Sequence, residues 1–247
     1  FGGTSAATPV VSGVVALMLD ANAGLGWRDV QSILALSAQH TGSGVTSGPN
    51  VTEVGKWLTM GGEHWNGGGA IYHQSYGFGM VDAFAATRMA EVWGRLNGSA
   101  DTSANEQHVI RTNSTVLTMR DSDGLDSTAE GQLSFNVTQD IQIDSVQVKL
   151  RISHNYSDEV VIYLKGPSGQ QVSLYSMDGD TSTFDGGLIW TFAAEAFRGM
   201  SSQGTWQLMF HDRASGDVGV VRDAQLDFYG SANSANDVYH FTDDFRM

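Results

Sequence analysis

The chain has 247 residues, 41% of them apolar and 16% charged, the composition of one or two globular domains and not of a disordered or fibrous chain. Its formal net charge of -14 is spread along the sequence and disfavours phosphate backbones, which argues against nucleic acid as a partner. Solubility accounts for that charge, with attraction of basic peptides or cations as the alternative. There is no cysteine, so disulfides and thiolate metal sites are excluded. The longest apolar run, Val14 to Leu19, is too short to span a bilayer, and no signal peptide is legible. With Phe1 in place of an initiator Met, the chain reads as cut from a longer one.

Three segments follow in order. From 1 to 96 the periodicity is helical. Ala6 to Ala23 is apolar almost all round, which predicts a helix built for burial. Trp27 to Ala38 sets Val30, Ile33 and Leu34 against Arg28, Asp29 and Gln31, the pattern of an amphipathic helix. Thr41 to Gly69 is Gly-rich and irregular and reads as a long loop with turns. Val81 to Trp93 predicts a third helix with Phe84, Met89, Val92 and Trp93 on its apolar face. The polar stretch 97–108, which includes His108, reads as a linker. From 109 to 231 the period falls to two, in runs such as Leu133-Phe135-Val137, Val146-Val148-Leu150, Val160-Ile162-Leu164, Trp206-Leu208-Phe210 and Leu226-Phe228. Gly, Asn and Asp clusters separate these runs, which predicts an all-β sandwich or barrel. Residues 232–247 return to polar and acidic character, as a tail or the start of a further module.

The chemistry sits at the N-terminal edge, in Gly3-Thr4-Ser5-Ala6-Ala7-Thr8-Pro9, with Gly13 one helical turn beyond. A hydroxyl nucleophile works when it is presented at an exposed elbow with its own N–H free. The first N–H groups of a helix have no intrahelical partner. Ser5 at a helix start therefore offers Oγ to a carbonyl carbon and its N–H to the developing oxyanion. Gly2 and Gly3 permit close backbone approach, Ala6, Ala7 and Gly13 let the helix sink against a sheet, and Pro9 belongs to a first turn. By itself such a serine also reads as an ordinary helix cap.

The motif resembles the nucleophile signature of subtilisin-type proteases, Gly-Thr-Ser-x-Ala-x-Pro. Ala16-Leu-Met-Leu-Asp20-Ala-Asn22 followed by Leu25-Gly-Trp27-Arg28-Asp29-Val-Gln31 is similar to the helix pair after the nucleophile in the kexin/furin branch. Ser75-Tyr76-Gly77-Phe78-Gly79-Met-Val-Asp82-Ala83 resembles the stretch that closes that family's catalytic domain. The resemblance implies that Ser5 is the nucleophile and a backbone oxyanion donor, and that the Asp and His of the triad precede it, where only four residues stand here. A serine without its base is not activated, so the isolated chain is expected to be inactive. His40, His64, His73 and His108 are expected to be surface or structural residues, and Glu63-His64 lacks a metal-binding spacing. Without the parallel sheet that covers it in the family, Val10 to Leu19 is expected to be exposed.

Downstream, Ile152-Ser-His154-Asn-Tyr156-Ser-Asp158-Glu-Val-Val-Ile162-Tyr-Leu164-Lys-Gly-Pro167-Ser-Gly169 resembles the P domain (P/Homo B) of the same proteases. So do Gly204-Thr-Trp206-Gln-Leu208-Met-Phe210-His-Asp212, Asp217-Val-Gly219 and Leu226-Asp-Phe228-Tyr-Gly230. The resemblance implies a jelly-roll-like sandwich packed on the catalytic domain. His154 and Asp158 read as residues in structural hydrogen bonding inside the sandwich more readily than as a catalytic dyad. Trp190 and Trp206 read as core residues, with a carbohydrate platform as the alternative. Asp178, Asp180 and Asp185 have a spacing that could hold Ca2+, though it departs from the full EF-hand loop.

The fold class is thus an α/β remnant, the C-terminal helices of a subtilisin-like parallel-sheet domain, plus an all-β jelly-roll-like sandwich. The domain organisation is 1–96, linker 97–108, sandwich 109–231 and tail 232–247. The family implies a secreted or cell-surface serine endopeptidase, Ca2+-dependent through sites mostly upstream, that cleaves protein or peptide substrates after basic residues. The lack of cysteine points to a bacterial origin. The alternative is an inactive scaffold whose sandwich binds protein or glycan.

Overall fold

The structure, a computed structural model, describes residues 2–41, 57–60, 70–97, 99–121, 129–176 and 187–232. The chain divides into two compact units, residues 1–106 with 231–247, and residues 107–230. Asp178, Asp180 and Asp185, Glu63-His64 and the acidic tail after 232 lie outside the described residues.

The first unit is built on helices α1 (Thr4–Ala21), α2 (Trp27–Ser37) and α3 (Ala83–Asn97). Val14 and Met18 of α1, Ile33 of α2 and Ala86, Ala90 and Trp93 of α3 form its core. Ala86, Ala90 and Trp93 follow the i, i+4, i+7 spacing of one helix face, and the two alanines let α1 approach. This corrects half of the predicted face of α3: Trp93 is in the core and Met89 packs against it, as read, but Phe84 and Val92 are exposed, away from that stripe. Within Val10 to Leu19, expected to be exposed throughout, α1 buries Val14 and Met18 and leaves Val10, Leu17 and Leu19 exposed. With 18 residues it also meets the length and composition of a membrane span, although its inner face packs on α3. Pro9, expected in the first turn, is the sixth residue of α1, so its missing N–H leaves the Ser5 carbonyl without the usual helical donor.

Buried charge organises α2. The Asp29 carboxylate accepts from Gly26 N at 2.7 Å, Asp101 N at 3.0 Å and Trp93 Nε1 at 2.7 Å. Arg28, also buried, donates to Thr102 O and Asn105 Oδ1. The segment read as linker is therefore fastened to the start of α2 around residues 101–105. Gly26 has no side chain for a steric reason, since a Cβ there would lie 1.9 Å from the Asp101 carbonyl oxygen.

Within the stretch read as a loop, Leu58–Thr59 (β1) pairs with Ile71–Tyr72 (β2) as a short antiparallel ladder, so the loop contains a strand. After β2 the chain turns tightly between His73 and Gly77, which exchange two backbone hydrogen bonds of 2.8 Å. Gly79 has φ +119, and a Cβ there would lie 2.3 Å from the Gln39 carbonyl oxygen, while Gln39 and Met80 bond each other in both directions. Asp82 Oδ1 accepts from Ala85 N at 2.9 Å and caps α3. That hydrogen bond, the largest influence on the carboxyl, holds its pKa below the ordinary value.

The second unit is a sandwich of two sheets. One has strand order β5 (Gly131–Val137), β10 (Gly204–Asp212), β7 (Val160–Lys165), β8 (Gln171–Ser176). The other has β3 (Gln107–Asn113), β11 (Val220–Ala232), β6 (Ile141–Ser153), β9 (Leu188–Ala193), with β4 (Leu117–Thr118) also on β11. The period-two runs face inward as read. Trp206 of β10 is fully buried between Phe197 and Phe228 of β11, with ring centroids 4.8 and 5.0 Å away, and its Nε1 donates to the Ser202 carbonyl at 2.8 Å. Two readings are corrected. Trp190 is 57% exposed on β9, an edge strand of which Phe192 is the buried residue. His108 lies in β3, stacked on Tyr229 of β11 at 4.3 Å, and so is not in a linker.

Trp206→Ala removes the side chain on which both sheets meet. It is expected to cost about 3–5 kcal/mol and lower the melting temperature of the sandwich by roughly 10 °C or more, measured by thermal circular dichroism; a melting curve like that of the parent would contradict this packing.

Candidate functional site

Ser5 is the second residue of α1 and is exposed. Gly3 caps the helix with φ 93 and ψ 176, a backbone shape that glycine adopts readily and other residues do not, and its carbonyl accepts from Ala6 N and Ala7 N. The Ser5 N–H thus belongs to the first turn, where helix geometry supplies no acceptor and the helix dipole favours developing negative charge. This geometry suits a nucleophile that attacks a carbonyl and stabilises the resulting oxyanion with its own amide.

The histidines serve other surroundings. His73 is buried, its Nδ1 accepting from Ser75 N at 3.0 Å, and it sits with His40, Trp57 and Tyr76 in an aromatic cluster. His154 is buried and hydrogen-bonded in the sandwich, as read, and the carboxylates beside it are not the Asp158 of the alternative dyad reading. Its Nε2 lies 3.3 Å from Asp212 Oδ2, and His154, Glu159 and Asp212 bring donor atoms within 4.8 Å of one another. Asp158 stands aside with Oδ1 buried and without a hydrogen bond.

Topology brings this group together. His154 follows the end of β6, Glu159 ends a 3-10 turn at Ser157–Glu159 that leads into β7, and Asp212 is the last residue of β10. β10 pairs antiparallel with β7, with Asp212 opposite Val160. Burial pushes the Asp212 carboxyl above its ordinary pKa, against the pull of hydrogen bonds from Ala214 N and His154; burial and the nearby Asp212 charge push Glu159 up as well. Glu130 Oε2 accepts from Asp212 N at 3.0 Å and fixes the strand end. Gly219 leaves room for the imidazole, since a Cβ there would lie 2.8 Å from His154 Cδ2. The sequence carries a signal for this group: Asp212 continues the inward stripe Trp206, Leu208, Phe210, and His154 continues Val148, Leu150, Ile152. A polar residue in phase with a core stripe marks a buried polar site.

The expected Ca2+ calls for an all-oxygen cage. Among the described residues, the group of three or more candidate ligands is His154, Glu159 and Asp212, and its imidazole does not fit calcium.

A glycine-capped serine helix in a unit of its own, followed by a two-sheet sandwich, defines the class: a helical remnant joined to a β-sandwich module. Residues 1–79 match the subtilase family and residues 143–228 the proprotein convertase P-domain. The chain carries a segment that matches the subtilase family, followed by one that matches the P domain. It is 28% identical to Furin-like protease 1 of Drosophila melanogaster, over 94% of this chain and 16% of that protein. It is 27% identical to human Proprotein convertase subtilisin/kexin type 5, over 93% and 12%, and 28% identical to Kexin of Candida albicans, over 99% and 26%. The chain thus spans well under a third of these relatives. A serine protease of Aeromonas sobria shares the fold, with TM-score 0.67 and 19% identity over 93% of this chain and 44% of that one.

Gly219→Ala is expected to displace the His154 ring and cost about 2 kcal/mol. The check is the His154 ring resonances together with the melting temperature, and unchanged ring shifts would contradict the close fit.

Proposed function

We propose that this chain is the nucleophile-bearing part of a serine endopeptidase that works through an acyl-enzyme. Ser5 Oγ attacks the scissile carbonyl, its N–H stabilises the oxyanion, and the remainder of the subtilase domain supplies the general base and the carboxylate that orients it. The observation that carries this reading is the exposed Ser5 at the glycine-capped start of α1, inside the segment matched to the subtilase family. The exposed Val10 and Leu17 support it, because in the whole protein that face would be covered by the rest of the domain. The proprotein convertase relatives support proproteins as substrates; cleavage after basic residues, and secretion or retention at the cell surface, rest on the resemblance to the kexin/furin branch. The net charge of -14 is compatible with basic peptides. Calcium enters through the family and would be held by residues other than the described ones. The sandwich would act as a support for the protease domain.

Exposed Ile189 and Trp190 on edge strand β9 favour a second reading, an inactive scaffold that binds protein or glycan through the sandwich. Kinetics separate the two. In a protein with a complete subtilase domain, Ser5→Ala is expected to lower kcat on a basic-site peptide by about 10^6-fold, and the 247-residue chain alone to show no Ser5-dependent turnover. A folded complete protein whose activity does not change with Ser5→Ala would overturn the protease reading.

A further inference from the structure

The cluster at the end of the sandwich takes no part in the serine chemistry, and three features show that it is not satisfied by itself. His154 Nδ1 lies 2.7 Å from the Tyr156 carbonyl oxygen and 3.1 Å from Tyr156 N. The two contacts conflict: a protonated Nδ1 donates to the carbonyl, whereas an unprotonated Nδ1 accepts from Tyr156 N–H and repels that carbonyl, so neither neutral tautomer satisfies both. With the proton on Nδ1, Nε2 turns its lone pair toward Asp212 Oδ2 at 3.3 Å, a contact that repels unless a cation or a proton lies between; with the proton on Nε2, that contact is a hydrogen bond and the conflict moves to the Tyr156 carbonyl. Glu159 Oε2, in the same group, is buried and has no hydrogen-bond partner. Both His154 and Asp212 have side chains with no exposure at all, and a buried carboxylate without compensation is costly.

We propose that His154, Glu159 and Asp212 bind a divalent transition-metal ion of the Zn2+, Mn2+ or Co2+ class. One imidazole nitrogen and two carboxylates form the donor set these ions accept and Ca2+ does not favour. Two carboxylates balance the ion's charge. The bond from Nδ1–H to a backbone carbonyl is the arrangement that fixes a ligating histidine's tautomer. Ligands about 2.0–2.2 Å from zinc stand roughly 3–3.5 Å apart, so a group within 4.8 Å closes on the ion by about 1 Å, with water completing the coordination. The three residues stand at the end of β6, in the turn before β7 and at the end of β10, in strands of both sheets. The ion would therefore act as a staple across the open end of the sandwich.

The test is titration of the chelator-stripped 247-residue chain with Co2+, read by visible absorption, and with Zn2+, read by melting temperature. The expected result is one saturable Co2+ site with ligand-field bands and a rise in melting temperature with Zn2+. Glu159→Gln should bind at least 10-fold more weakly, while its melting curve in chelator matches or exceeds that of the parent. His73→Gln, which alters a histidine outside the cluster, should bind as the parent does. Absence of a saturable site, equal affinity in Glu159→Gln, or an equal response to Ca2+ overturns the proposal; the first leaves Nε2–H donating to Asp212 as the resolution of the contact.

Discussion

A charge taken out of water has to be met by donors or by an opposite charge, and both units of this chain are arranged around that constraint. In the first unit, Asp29 is buried and meets two backbone amides and an indole. Those three donors come from the turn before α2, from α3 and from the segment after α3, so one carboxylate fixes the mutual placement of parts distant in sequence. Arg28 beside it does the same with Thr102 and Asn105. In the sandwich, the same constraint falls on His154, Glu159 and Asp212, where two carboxylates face one imidazole.

The fold was legible where one physical rule governs. Period-two alternation placed Leu133, Val148, Ile162, Trp206 and Phe228 inside, because a strand shows one face to the core. Periodicity also found the three helices. It found Trp93 and Met89 on the apolar face of α3 but misplaced Phe84 and Val92, which drew attention by size although the small Ala86 and Ala90 join the contact. It failed on Trp190, since bulk says nothing about whether a strand lies at a sheet edge. The glycines of Gly77-Phe78-Gly79 were visible as a motif, but their reason, positive φ and a carbonyl at Gln39 pressed against Gly79, comes only from chain segments forty residues apart.

The candidate sites divide in the same way. Ser5 was legible because its chemistry is local: a glycine cap, a helix start and small neighbours stand within a few residues. The His154 cluster was half legible. The histidine was read as hydrogen-bonded inside the sandwich, which holds, but the carboxylate noticed beside it was Asp158, four residues along, whereas its partner Asp212 is 58 residues away. Sequence proximity outweighed the strand phase that pointed to Asp212.

These pieces join in one account: a subtilase segment that presents Ser5 at the start of α1, followed by a P domain with its own polar interior. The central claim is that Ser5 is an activated nucleophile once the subtilase domain is complete. Fluorophosphonate labelling of such a protein, with the modified peptide located by mass spectrometry, tests it most directly. The account predicts a single adduct on Ser5, lost in Ser5→Ala. A folded protein that takes no label, or takes it on another residue, would contradict it.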